Sequence, residues 1–467
     1  MKRHPSVVVI GGGISGLTTA WWLHKAGIDV TVLERERTLG GTMQTDRDKG
    51  WLIETGPNSA LETTPLFQTL FNDLDLADEL VYADELGNNR YILRNGELHA
   101  LPMTPPAFLK SRLWTIPGKL RLLKEPFVGR AAEEETIAEF VERRLGREFL
   151  DYAINPFVAG VYAGNPEQLS VRAAFPKLYA LEYQYGGLIK GQVFGSRERK
   201  KRAEKAKDRA RMFAFKKGMQ TFPVALGTAL SKHVLTGTSV QRLKRLRKGH
   251  ITQYEISGKR IGKPFRIQAN GVITAIPSFA AAKLLDPIDS DVAASLNKIY
   301  YPPVVEVFLG FKTCDIHRRL DGFGFLVPAK EKRKILGTIW SSSLFPDRAP
   351  KDHAALTTFV GGSRQPELTE QSDDAIIKIV ADELKEIMGV YGRPAYHRIA
   401  RWERAIPQYN LGHLSIVRHL EQFEQQHPGI FLSGNFRGGI SVGDCVINSE
   451  KTAQRVQEFF KNHQPSD

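Results

Sequence analysis

The sequence predicts an α/β protein with a Rossmann-type dinucleotide-binding domain, on three observations near its start. A β-branched run, Ser6–Ile10, meets Gly11, Gly13 and Gly16 at GxGxxG spacing. A helical pattern follows at once over residues 17–24. A second apolar run, 28–33, then ends in Glu34, about 20 residues past the glycines. Each part answers a physical demand. The first run suits a strand buried in a parallel sheet. Gly11 permits a tight turn, Gly13 lets a pyrophosphate approach the backbone, and Gly16 lets the helix lie against the strand. The helix N-terminus offers unpaired N–H groups and partial positive charge to phosphate. Glu34 stands where an acid holds an adenosine ribose. A glycine-rich turn in an ordinary βαβ unit is the alternative. Strand, helix, strand and acid in register argue against it.

A length of 467 residues suits two or three domains around a sizeable core. Hydrophobic content of 42% and charged content of 25% fit a soluble globular protein. Cys314 and Cys445 stand far apart without a partner motif. They support neither a disulfide framework nor a cysteine-based zinc site, and they fit a reducing, cytoplasmic compartment. The basic residues before Val7 mimic a signal peptide, but the apolar run stops at the glycines and reads as the first strand. No uninterrupted apolar segment approaches bilayer-spanning length. The net charge is +14, and residues 197–217 hold eleven Lys/Arg against three acids. That run reads as a solvated loop or helix extension, or as a surface drawn to anionic membrane. Its aromatics, Phe213 and Phe215, fall at its end and do not interleave with the basic residues of 197–211, which argues against nucleic acid.

Further along, 65–79 reads as a helix with Leu66, Leu70, Leu74 and Leu76 on its apolar positions. Residues 91–93 and 98–101 flank Asn95-Gly96, the signal of a type I′ hairpin. Residues 105–130 mix prolines, Phe108, Trp114, Phe127 and basic residues, which suits an interfacial anchor or an ordinary helical domain. An amphipathic helix is expected at 136–145. A buried strand is expected at 271–277, with 251–256 as its mate. A strand at 304–311 and helices at 375–388 and 450–461 complete the pattern. Residues 322–328 lack the third glycine and following helix of a second nucleotide loop. No nucleophile–histidine pair or metal-spaced cluster stands out. His24, His99, His397 and His413 are scattered and read as structural or exposed.

Five stretches resemble the FAD-dependent oxidase superfamily that includes amine oxidases and phytoene desaturases. They are Gly40-Gly41-Thr42, the segment 51–59, the segment 213–223 that returns into the flavin domain, the segment 401–409, and the glycine turn 429–444. The resemblance implies FAD as cofactor. It implies phosphate contacts along Gly11, Gly12, Gly13, Ile14, Ser15 and Gly16, and a ribose contact at Glu34 with Arg35 beside it. Gly41 and Thr42 would follow the phosphate and ribityl chain. Gly56, Pro57, Asn58 and Ser59 would lie close to the isoalloxazine, as would Trp402, and the backbone of Val240 would meet the adenine. Gly434, Ile440, Ser441 and Val442 belong to the last turn. There, backbone N–H groups from Gly438 to Gly443 would face the pyrimidine edge, where negative charge develops on reduction.

Within that superfamily, the segments 89–102 and 151–166, with the surroundings of Leu326, Ile339 and Phe359, resemble the protoporphyrinogen oxidase family. The resemblance runs in order from Gly11 to Gly443. It implies that Arg94 pairs with a tetrapyrrole propionate and that Gly160 turns a carbonyl toward the pyrrole N–H groups. Leu326, Ile339 and Phe359 would sandwich the rings, and Asn58 would help shape the cavity. It also implies an FAD-binding domain assembled from 1–88, 206–295 and 399–467, a helical membrane-associating domain at 89–205, and an α+β substrate domain at 296–398.

The activity so implied is oxidation of protoporphyrinogen IX to protoporphyrin IX. Three hydride equivalents pass to FAD, and molecular oxygen is reduced to hydrogen peroxide. The implied surroundings are the cytoplasm and a membrane surface, with a homodimer and ferrochelatase as candidate partners and neither metal nor nucleic acid. Three alternatives stay open: coproporphyrinogen III as substrate, an FAD amine oxidase or desaturase of the same fold, and a flavin-binding scaffold without activity.

Overall fold

The computed structural model describes residues 6–194, 210–248 and 251–462. Residues 197–209 of the basic run therefore lie outside the described residues. Ser6–Ile10 and Asp29–Leu33 are strands, as the β-branched pattern predicts, and Ile14–Lys25 is the helix between them. They pair in parallel at the middle of a five-stranded sheet. Its order is Val234–Leu235, Asp29–Leu33, Ser6–Ile10, Gly271–Thr274, Ile430–Leu432. Every pair is parallel, and Val7, Val8, Val9 and Ile10 are buried between helices on both faces. The sheet thus gathers segments from across the sequence. The last helix, Val442–Asn462, packs on Ile14–Lys25 through Val446, Ala453 and Val456, and Ser449 Oγ donates to the Ser15 carbonyl at 2.9 Å.

One expected pairing is corrected. Gly271–Thr274 is a buried strand, but its neighbours are Ser6–Ile10 and Ile430–Leu432. Ile251–Arg260 instead pairs with Thr238–Lys248 and Lys263–Ala269 in a three-stranded antiparallel sheet. A run buried on every residue suits the centre of a parallel sheet, whereas alternation along 251–260 suits a sheet with one wet face.

A seven-stranded sheet forms the second half. Its order is Tyr396–Trp402, Val304–Lys312, His353–Gly361, Gly337–Ile339, Gly324–Leu326, Arg90–Arg94, Glu97–Ala100. The Asn95-Gly96 turn is as expected: both residues have positive φ, 53° and 78°, which the type I′ turn requires. Val305, Val307, Leu309, Phe325, Trp340 and Val360 point to one face, where they pack on Ile376, Val380 and Leu384 of the helix Asp373–Met388. The other face is left for the cavity.

Short helices between Pro105 and Phe194 cover one end of that second face. The helix Ile137–Arg144 begins with a capping box between Thr136 and Glu139. Its last residue, Arg144, is fully buried and bonds Glu125 at 2.9 Å and Glu182 at 2.5 Å. Trp114 does not face outward. It is buried and stacks on Phe149 at 4.8 Å. Phe127 is 88% exposed. No helix among the described residues is long and apolar enough to cross a membrane.

Candidate active site

A single cavity of about 3540 Å³ runs from the parallel sheet to the seven-stranded sheet. Small-molecule pockets are commonly about 300–1,000 Å³, so this one has room for a dinucleotide and a large second ligand. Gly11, Gly13, Ile14, Ser15, Glu34, Arg35, Gly41 and Thr42 line one half. Gly56, Pro57, Asn58, Ser59, Val240, Trp402, Gly434, Ile440, Ser441 and Val442 also line the cavity. Gly160, Leu326, Ile339 and Phe359 line the other half. Of the residues expected there, Gly12, Gly16 and Arg94 are not on the wall.

The nucleotide half shows why each glycine is needed. A Cβ at Gly16 would overlap the Gly11 carbonyl, so this glycine serves helix-on-strand contact. A Cβ at Gly13 would meet no atom closer than the Gly41 Cα at 3.9 Å, so the space beside it is open for a ligand. Gly12 donates to Glu34 Oε2, and Glu36 donates to Glu34 Oε1 at 2.8 Å, which fixes the carboxylate at the cavity's end. Trp402 Nε1 donates to the Thr55 carbonyl at 2.9 Å and ties the seven-stranded sheet to the 56–59 segment.

The last glycine turn differs from expectation in detail. Gly439 N–H donates to the Tyr409 hydroxyl at 2.9 Å, and Ser441 N–H donates to Asp444 at 3.2 Å. Those two donors are spent inside the protein. The N–H groups of Ile440, Val442 and Gly443, on the cavity wall at the start of the helix Val442–Asn462, have no protein partner among the described residues. Tyr409 braces the turn from behind. Its hydroxyl also donates to the Asn435 carbonyl at 2.6 Å, and burial raises its pKa well above the ordinary phenol value. His413 stacks on it at 4.1 Å, and burial lowers its pKa to about 4, which keeps the ring neutral. An open glycine cradle, a fixed carboxylate and unpaired N–H groups at a helix start fit an FAD dinucleotide.

Strand register builds the other half. Facing residues in paired strands share a side, and so do residues two apart. The register Ile92↔Leu326, Leu326↔Gly337, Gly337↔Phe359, Phe359↔Glu306, Glu306↔Ala400 therefore puts Ile92, Leu326, Phe359 and Glu306 on one face. Ile339 and Trp402 join them two residues along. The face is apolar and half-buried at Leu326, Ile339 and Phe359. Phe157, Phe175 and Leu178 of the helical region also line the cavity. Gly160 lies in the last turn of the helix Asn155–Tyr162, where carbonyls lack intrahelical donors. A Cβ on it would strike Leu326 at Cδ2 or close to it.

Three arginines share this face. Arg94 lies under the helical region, paired with Glu148 at 2.7 Å, bonded to the Leu113 carbonyl and set over the Tyr152 ring. Arg398 pairs with Asp46 at 2.9 Å. Arg90 lines the cavity half-buried, and no carboxylate partner for it exists among the described residues. Burial lowers its pKa, the direction expected of a cation short of an anion. Arg94, where the propionate contact is expected, is engaged by Glu148, and Arg90, two pleat repeats away on the same strand, is the arginine that lines the cavity.

A further residue of this wall, Glu306, belongs to none of the motifs. It is 4% exposed, lines the cavity, and accepts from Asn58 Nδ2 at 3.1 Å. Burial pushes its carboxyl pKa well up. A lone acid in the run Val304–Lys312 was the available signal, because a charge in a buried strand needs a reason.

Residues 14–457 match the family model for flavin-containing amine oxidoreductases. The chain belongs to that family, and FAD is its cofactor. Within it the chain stands with the porphyrinogen oxidases. It is 32% identical to protoporphyrinogen oxidase 2, chloroplastic/mitochondrial, of Arabidopsis thaliana, over 98% of this chain and 94% of that one. It is 28% identical to the coproporphyrinogen III oxidase of Bacillus subtilis, over 95% and 96%. A crystal structure of an Exiguobacterium sp. 255-15 protein matches with a TM-score of 0.80 at 24% identity, covering 98% of this chain and 99% of that one; at that identity the likeness carries the fold.

Proposed function

We propose that the protein oxidises protoporphyrinogen IX to protoporphyrin IX, with molecular oxygen as acceptor and hydrogen peroxide as product. The observation that supports this reading most is the shared face of Leu326, Ile339 and Phe359 beside the unpaired Arg90, in one cavity with the nucleotide cradle. A flat ring with an apolar body and an acidic rim suits that surface. FAD supplies the two-electron acceptor when bound. Leu326, Ile339 and Phe359 hold the ring and keep water from it, Arg90 anchors a propionate by a charge-assisted bond, and the Gly160 carbonyl receives pyrrole N–H groups. The relatives include oxidases named for either porphyrinogen. Among the described residues, Arg90 is the arginine on this face without a carboxylate partner, which favours the substrate with two propionates over the one with four.

The test compares kcat/KM for protoporphyrinogen IX and coproporphyrinogen III, following porphyrin absorbance together with oxygen uptake and peroxide. Protoporphyrinogen is expected to be the better substrate, with peroxide released in step. Peroxide driven by amines, with no porphyrin formed, would instead identify an amine oxidase.

A further inference from the structure

Glu306 has a chemistry that ring binding and cofactor binding leave unused. It is the sole ionisable side chain in the strand Val304–Lys312 before its final lysine. On the cavity face its register neighbours are Phe359 and Ala400, both uncharged; Trp402 lies two residues from Ala400 on one side and Arg398, paired with Asp46 at 2.9 Å, two residues on the other. From the 56–59 segment it meets the Asn58 amide, which also donates to the Gly56 carbonyl at 3.1 Å. No cation pairs with it among the described residues. The charged group that acts on it is another acid, Glu54, on the strand Trp51–Glu54, and Arg348 sits on Glu54 at 3.3 Å. A buried carboxyl without a cation is costly, and its one hydrogen bond, from Asn58, an amide could accept as well. Desolvation and Glu54 both raise its pKa above the ordinary carboxyl value, with the Asn58 hydrogen bond opposing, so the group holds a proton more readily than an exposed carboxylate does.

Oxidation of a porphyrinogen needs such a group. In each two-electron step a meso C–H bond breaks and its electron pair leaves with hydrogen for the oxidant, FAD. A proton is also lost in each step, from a pyrrolic N–H in two of the three and from the remaining meso carbon in the third, its electron pair completing the new double bond. Four meso and two N–H hydrogens leave in all, and each proton must go somewhere in a cavity walled by apolar side chains. We propose that the Glu306 carboxylate takes that proton, forming its own O–H bond, with Asn58 orienting the carboxylate toward the ring. The inference rests on the porphyrinogen reading above. The acid returns its proton to solvent before the next step, so each of three cycles begins with the carboxylate free.

The test uses the holoenzyme with Glu306→Gln and Glu306→Asp. FAD content and product affinity, read from protoporphyrin IX fluorescence, are expected to stay within about threefold of wild type, since Glu306 is placed to move a proton rather than to anchor the ring. Anaerobic flavin bleaching by protoporphyrinogen IX should rise with pH in the wild type and slow about 10²–10⁴-fold in E306Q with that rise gone. E306D should keep the rise at an intermediate rate. Independently of turnover, isotope-edited infrared titration of the wild type should show a protonated glutamic acid band that fades as pH rises and is missing from E306Q. E306Q bleaching at the wild-type rate with an unchanged pH profile would overturn the proposal. So would a wild-type infrared titration without such a band, which holds even where E306Q fails to fold. A wild type that bleaches with amines but with no porphyrinogen would overturn the substrate reading instead.

Discussion

Two glycines three residues apart carry different burdens. At Gly13 an added methyl would project into open cavity, whereas at Gly16 it would strike the Gly11 carbonyl. Gly13→Ala should therefore leave the apo protein's stability within about 0.5 kcal/mol of wild type and sharply weaken FAD binding. Gly16→Ala should cost about 1–3 kcal/mol through overpacking, with or without FAD. Thermal melts of apo and FAD-loaded protein separate the two. The arginines divide in the same way. Arg90→Ala should raise KM about 10–100-fold, the worth of a hydrogen bond to a charged group, with little change in melting temperature. Arg94→Ala should lower stability by leaving Glu148 with its Thr115 hydrogen bonds but no cation, and leave KM near wild type. A KM effect confined to Arg94→Ala would return the propionate to that residue. The glycine spacing was legible because a turn is a local event. Arg90 and Arg94 were not separable, because the carboxylate that occupies one of them arrives 54 residues downstream.

At the scale of elements, Glu54 shows how a strand end is welded to its neighbours. Its carboxylate accepts from Thr45 at 2.6 Å, Met219 N–H at 2.9 Å and Arg348 at 3.3 Å. Burial nevertheless dominates and raises its pKa from 4.5 to about 7, with Arg348 opposing. The folded chain then keeps this proton up to about pH 7, while the unfolded chain releases it near 4.5. The folded state binds more protons in that window, so the contribution of Glu54 to stability declines as pH rises through it, by about 3 kcal/mol in all. Glu54→Gln, which cannot ionise, should flatten the stability–pH curve between those limits, read from urea midpoints at several pH values. A slope equal to that of wild type would show that Glu54 is already ionised at acid pH. Individual elements such as the strand Val304–Lys312 and the helix Asp373–Met388 were readable from their own periodicity. Their pairing was not: Gly271–Thr274 found partners at residues 6–10 and 430–432. Parallel neighbours are joined by long crossovers that leave no local trace.

Across the whole molecule, charge and apolar surface are both unevenly distributed. The chain carries +14. The short helices Pro105–Lys110 and Ile116–Arg121, with the turn Leu122–Phe127, turn Leu109, Ile116, Leu123 and Phe127 outward at 69–88% exposure. Lys110, Lys119, Arg121 and Lys124 are interspersed with them. Amphipathic helices that lie in a membrane interface combine these features. We propose that this surface meets a membrane; the pairing then sets how attachment should respond to solution conditions. Each basic residue is worth about 1 kcal/mol near an anionic surface, and salt screens that share. Each large apolar side chain adds about 1.5–3 kcal/mol when buried, and salt leaves that share in place. The purified protein should float with vesicles of phosphatidylcholine and phosphatidylserine at low salt, and partly release at 0.5 M salt, where the Debye length falls to about 4 Å. Vesicles of phosphatidylcholine alone should hold much less. The double change Leu123→Asp, Phe127→Asp alters two outward side chains and should abolish flotation while FAD content stays as in wild type. Equal flotation by this variant would move the contact elsewhere on the basic surface, and no flotation with either vesicle would remove the membrane from the reading of this region.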